Sequence, residues 1–149
     1  MTVRVQYEDF DLGAEILKLR HGNSKIGAIA SFVGLVRDLN DNARVAEMTL
    51  EHYPGMTEKA LAEILEQAKQ RWCIIDALVI HRVGPLKPAD QIVLVAVSSA
   101  HRGAAFAACE FIMDYLKTRA PFWKKEQTEA GARWVDAHES DETAAQRWV

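Results

Sequence analysis

An α+β fold is what these 149 residues predict: one domain, with a largely antiparallel sheet and two main helices. Three observations carry that expectation. Short segments with alternating or continuous apolar patterns outnumber the helical ones, and they do not alternate strictly with them as a parallel βαβ design requires. Two longer stretches, 56–72 and 102–118, repeat apolar residues at helical spacing. No linker, repeat or low-complexity tract divides the chain, so 1–149 reads as a single unit.

Val3, Val5 and Tyr7 alternate with polar residues and predict a strand over 2–8. Asp11 is placed to cap a short helix carrying Leu12, Ile16, Leu17 and Leu19, which stops near Gly22. Residues 26–36 are apolar with small side chains and suit a buried strand. Asp38-Leu39-Asn40-Asp41-Asn42 is rich in turn formers. Residues 44–52 alternate again through Val45, Met48 and Leu50, and the expected arrangement is an antiparallel hairpin with the preceding strand. Pro54-Gly55 ends that strand. The first long helix follows, with Met56, Ala60, Leu61, Ile64, Leu65, Ala68 and Trp72 on one face. Apolar strands are expected over 74–83 and from Ile92 to Ser98. The second long helix carries the stripe Phe106, Cys109, Met113 and Leu116 and ends at Pro121. Two short strands are expected at 123–128 and 132–137. Residues 138–149 read as a polar, partly loose C-terminal tail anchored by Trp148.

The composition is ordinary for a globular domain, 49% hydrophobic and 26% charged. A net charge of −3 disfavours coating of nucleic acid through bulk charge. No apolar run approaches the roughly 20 residues that span a bilayer, and the N-terminus shows no signal-peptide pattern. Cys73 and Cys109 form no CxxC pair and sit in apolar runs, so both are expected to be small buried hydrophobes in a reducing cytoplasm.

The average charge hides a gradient. Residues 101–125 hold five Lys/Arg against two acids, net +3, whereas residues 126–149 hold two against six, net −4. Glycine-rich phosphate loops, an HExxH metal motif and a GxSxG elbow are absent from the sequence. The chemistry-bearing groups are therefore cations in three places. Arg37 ends the strand segment Phe32-Val33-Gly34-Leu35-Val36-Arg37, where a guanidinium can fork onto phosphate or carboxylate; a surface arginine at a strand end is the plainer reading. His101 and Arg102 stand at a strand-to-helix junction, where backbone N–H groups favour anions; capping is the alternative. Lys117 and Arg119 close the second long helix, as the helix dipole alone would favour. Lys124 and Lys125 follow Pro121-Phe122-Trp123, and in extended chain only one of the two can face inwards. A lysine near other cations has a lowered pKa and can act in proton transfer near neutral pH.

Taken together these segments resemble the catalytic (large) subunit of molybdopterin synthase. The likeness runs through Phe32 to Arg37, Leu50-Glu51-His52-Tyr53-Pro54-Gly55-Met56, His81-Arg82-Val83-Gly84 and His101-Arg102. It continues in Met113-Asp114-Tyr115-Leu116-Lys117, Ala120-Pro121-Phe122-Trp123-Lys124-Lys125-Glu126 and Arg133-Trp134-Val135. The resemblance implies the α/β-hammerhead fold of that family. It implies addition of two sulfurs to cyclic pyranopterin monophosphate, giving the dithiolene of molybdopterin. The sulfur arrives as a thiocarboxylate on the C-terminal glycine of a small ubiquitin-like partner, so no catalytic cysteine, metal or resident cofactor is needed. A homodimer at the centre of a heterotetramer is implied as well.

By the same resemblance, Lys117 and Lys124 are the catalytic pair. Leu35, Val36, Arg37, His101, Arg102, Lys117, Lys124, Lys125 and Glu126 line the substrate pocket. An arginine that often follows the Trp-Val-acid stretch in the family, reaching a neighbouring subunit, is replaced here by His138. A non-catalytic module that binds a ubiquitin-like tail, or a small phosphoester-processing enzyme, are the competing readings of the same cations.

Overall fold

The computed structural model describes residues 1–40, 43–129, 131–135 and 139–149. In chain order the elements are β1 (Thr2–Gln6), α1 (Leu12–Arg20), β2 (Ala28–Leu35), β3 (Leu39–Asn40), β4 (Ala43–His52), α2 (Met56–Arg71) and β5 (Asp76–Arg82). They continue with β6 (Gly84–Leu86), β7 (Gln91–Ser99), α3 (Arg102–Arg119), β8 (Phe122–Thr128), β9 (Gly131–Val135) and α4 (Glu139–Gln146). The α+β class is as expected. Both long helices lie within a residue of their predicted ends, and α1 is capped by Asp11, whose Oδ1 accepts the Ala14 N–H at 3.0 Å.

Two sheets share the work. The first runs β1-β5-β7-β2, with β1 parallel to β5 and the other pairs antiparallel. The second runs β3-β4-β8-β9, with β6 also paired to β4. β7 explains its own unbroken apolar run. Val93, Val95 and Val97 face α2 and α3, while Leu94 and Ala96 face α1 together with Phe10, Leu78 and Ile80. A strand covered on both faces has no polar side to alternate. A third cluster of Val36, Met48, Leu50, Val83 and Leu86 joins the two sheets.

The expected hairpin between 26–36 and 44–52 does not form. β2 pairs with β7, from Ala28 opposite Ser99 to Gly34 opposite Val93, and β4 pairs with β8 instead. Close approach decides the matter: a Cβ on Gly34 would stand 2.9 Å from the Val93 side chain. The turn-rich segment after Val36 therefore carries the chain from one sheet to the other. Val36 is held to the first sheet by hydrogen bonds with Asp90 and Ala89, and Asp38 accepts from Val45 in the second.

Three further expectations need correction. Cys73 is exposed, in the bend between α2 and β5, and only Cys109 is buried. The predicted strand at 132–137 is Gly131–Val135, and residues 136–137 lie outside the described residues. The C-terminal residues from 139 form a helix, where a loose tail was expected. Arg147 bonds Asp114 at 2.8 Å, and Trp148 Nε1 donates to the same carboxylate at 2.6 Å. The Trp148 ring packs edge-on against Trp72 and Phe111, so the expected anchor is where it was predicted.

Candidate active site

The site is built at the turn between α3 and β8. Ala120 is extended (φ −86°, ψ 136°), as a residue preceding proline is driven to be. The Phe122 N–H then donates to the Ala120 carbonyl at 3.0 Å, so Pro121 sits in a three-residue turn that swings the chain from helix to strand. Thr57, fully buried at the start of α2, fastens this turn. Its hydroxyl donates to the Pro121 carbonyl at 2.9 Å and accepts the Tyr53 N–H at 3.0 Å. Lys117 in the last turn of α3 and Lys124 on β8 are thereby brought to one place.

Two adjoining hollows meet at these lysines. One, a cavity of about 290 Å³, has among its walls the predicted site residues Leu35, Val36, Arg37, Lys117, Lys124 and Glu126. The other, about 400 Å³, shares Leu35, Arg37 and both lysines and is completed by apolar and aromatic groups, among them Phe32, Leu116 and Phe122. Strand alternation divides the three consecutive β8 residues. Lys124 is half-buried and faces in, Glu126 is 2% exposed, and Lys125 is exposed with its ammonium 5.8 Å from the Trp134 ring centre.

Burial pushes the Lys124 ammonium down from 10.5 to about 8, and the charge of Lys117 and a hydrogen bond with it push the same way. Asp141 on α4 and Glu126 act against that shift. Glu126 is itself held in place. One oxygen accepts from the Asn40 side-chain amide. The other lies 3.7 Å from Arg133, its cross-strand partner, and makes no hydrogen bond among the described residues. Arg133 in turn donates to the Asn40 carbonyl at 2.8 Å. Such a site offers fixed positive charge from Arg37, a lysine that gains and loses its proton near neutral pH, and a buried carboxylate beside it.

Not every predicted residue joins this place. His101 and Arg102 are exposed at the other end of α3. Fifteen residues of helix separate Arg102 from Lys117, roughly 22 Å at 1.5 Å per residue. His138 lies outside the described residues. Conversely, Asn40, His81 and Asp141 line the hollows without having been singled out. Asn40 and Asp141 sit in segments read only as a loop and a tail. His81 follows the apolar run Ala77 to Ile80 and precedes Arg82, so its sequence context does not separate a buried from an exposed ring.

Comparison with known proteins points one way. A family model described as MoaE protein matches residues 5–119. A Ralstonia nicotianae protein named molybdopterin synthase catalytic subunit is 72% identical over 147 residues, covering 99% of this chain and 84% of that protein. A solved structure of a molybdopterin biosynthesis MoaE protein from Burkholderia ambifaria is similar at a TM-score of 0.85 and 61% identity, over 99% of this chain and 97% of the other. A molybdopterin synthase structure from Staphylococcus aureus is similar at a TM-score of 0.81 and 34% identity, over 89% and 96%.

Proposed function

The chain belongs to the MoaE family, and from that premise we propose that it performs the catalytic half of molybdopterin synthesis. Its substrate is cyclic pyranopterin monophosphate. Its sulfur donor is the C-terminal thiocarboxylate of a small ubiquitin-like partner, and its product is the dithiolene of molybdopterin. The observation that carries this reading is the lysine pair shared by the walls of two hollows, with Lys124 at about 8. Two reactants must meet at one point, and both hollows reach the lysines.

Each part of the wall suits a step. Arg37 opposes the charge of the phosphate-bearing pterin. Release of sulfur from an acyl carbon passes through a tetrahedral oxyanion, which an adjacent ammonium stabilises. Lys124 supplies or removes a proton there with little cost near neutral pH. Glu126, tied by Asn40, keeps Lys124 from losing its proton altogether. Sulfur carried by the partner leaves the two cysteines free of duty. Burial raises the Cys109 thiol to about 11, which suits a structural role.

His101 and Arg102 cannot reach the same ligand as Lys117 within one chain. Their assignment to the substrate therefore requires a second copy, which agrees with a homodimer inside a heterotetramer. Lys125 would act from the rim, and His138 from a neighbouring copy. Among the described residues no helix is long and apolar enough to cross a membrane, and two free thiols suit the cytoplasm.

The test is to incubate the chain with pyranopterin precursor, with and without thiocarboxylated small subunit, and assay the dithiolene. Product only in the presence of the partner is expected. Consumption of the precursor without the partner and without dithiolene points to phosphoester chemistry, and binding of the partner without product reduces the chain to a docking module.

A further inference from the structure

One buried group in the wall of the larger hollow takes no part in the chemistry above. His81 on β5 is 5% exposed, and its ring lies stacked on Phe122, with centres 3.8 Å apart and planes 18° apart. Nδ1 is 2.8 Å from the Arg82 carbonyl oxygen, which can only accept, so Nδ1 carries the proton. Nε2 then holds a lone pair. No protein group among the described residues bonds to it, and the ring lines the hollow beside Lys117 and Lys124.

The ring is neutral wherever the protein works. Burial pushes it down from 6.5 to about 3, against the pull of the Arg82 carbonyl and with the help of the Lys117, Lys124 and His52 charges. The other polar groups of this hollow differ in kind. Arg37 only donates, Lys117 and Lys124 donate as ammonium groups, and Asp141 accepts but brings a charge. Nε2 is not one of the fully buried polar atoms that lack a partner, so it is open to whatever fills the hollow, be it water or a ligand's N–H.

We propose that Nε2 of His81 is a ligand-binding acceptor that takes an amide-type N–H from the molecule occupying this hollow. The inference rests on the reaction proposed above, in which two reactants carry such a group. They are the lactam N–H of the pterin and the terminal peptide N–H of the partner's tail. Stacking on Phe122 and the bond to Arg82 hold the ring in place before either ligand arrives.

The experiment uses the full chain with histidines labelled with ¹⁵N. One arm adds a pterin monophosphate. The other adds the small subunit in its carboxylate form, which cannot donate sulfur. The His81 Nε2 resonance is expected to move upfield in one arm, and that arm identifies the ligand. In the same arm His81→Asn, which keeps a donor for the Arg82 carbonyl but withdraws the outer acceptor, is expected to weaken binding about five- to twenty-fold. His81→Gln, which returns an acceptor near the Nε2 position, is expected to recover most of it. An unmoved Nε2 resonance with both ligands bound overturns the inference, whether or not the variants fold. Equal losses in the Asn and Gln variants overturn it too, since packing then explains both. Dithiolene formation by the wild-type chain with an unmoved resonance removes only this inference. Failure to bind either ligand, with no dithiolene formed, removes the reaction as well.

Discussion

Lys117 and Lys124 are electrostatic neighbours across the Pro121 turn, and the charge and hydrogen bond of Lys117 add to burial in lowering Lys124 to about 8. The turn that creates this relationship is fastened from outside the pair, by Thr57 on α2. The spacing of the two lysines therefore depends on a few named atoms of the fold.

The pH dependence of turnover is expected to show an inflection near 8 belonging to Lys124. Two substitutions move it in opposite directions. Lys117→Met removes a like charge and shifts the inflection upward, though still below 10.5, because burial is the larger cause. Glu126→Gln removes an opposite charge and shifts it downward. Direct titration of ¹³C-methylated lysines reads both shifts without requiring turnover from the Lys117 variant.

Lys124 also costs stability. Below about pH 8 the folded chain holds a half-buried ammonium that the unfolded chain solvates freely. Between about 8 and 10.5 the folded form has released that proton while the unfolded form still binds it, so stability rises with pH across this window. Lys124→Met is therefore expected to raise Tm at pH 7, and its advantage is expected to shrink as pH climbs from 8 to 10.5. Thermal melts at four or five pH values check this. A constant or growing advantage contradicts it.

Thr57→Val preserves shape and deletes two hydrogen bonds, leaving the Tyr53 N–H and the Pro121 carbonyl without their partner. The expected loss is about 2 kcal/mol in urea denaturation. Turnover should fall further than the unfolded fraction explains, since the Pro121 turn sets the spacing of the lysines.

Arg102 and Lys117 are separated by nearly the whole of α3. If both serve one substrate, they do so from different copies. Arg102→Ala and Lys117→Ala chains are each expected to be inactive alone. When mixed and reassembled they should regain up to about a quarter to a half of wild-type activity, the range a two-site dimer allows, because one site in the mixed dimer is intact. No recovery in verified mixed dimers assigns Arg102 elsewhere.

Much of this was legible from residue order alone. The helical stripe through Cys109, Met113 and Leu116 places Lys117 at a helix end. Pro121 forces the turn, and period-two alternation separates Lys124 and Glu126 from Lys125. The pairing of β2 was not legible, because it depends on the tight approach of Gly34 to Val93, residues far apart in sequence. Asn40 and Asp141 went unnoticed because each enters the site only through long-range packing, one by its bond to Glu126 and the other through the docking of α4 by Trp148. His101 and Arg102 lie apart from the lysines within one chain because of the length of α3, and no single-chain reading of the sequence shows whether a second copy brings them back.

The central claim is that this lysine pair carries sulfur transfer from the partner to the pterin. It is tested most directly by substituting Lys117 and Lys124 singly by Ala and following dithiolene formation with thiocarboxylated small subunit. Severe loss of turnover in at least one variant, with partner binding retained, is the predicted result. Near-wild-type turnover in both would contradict the account.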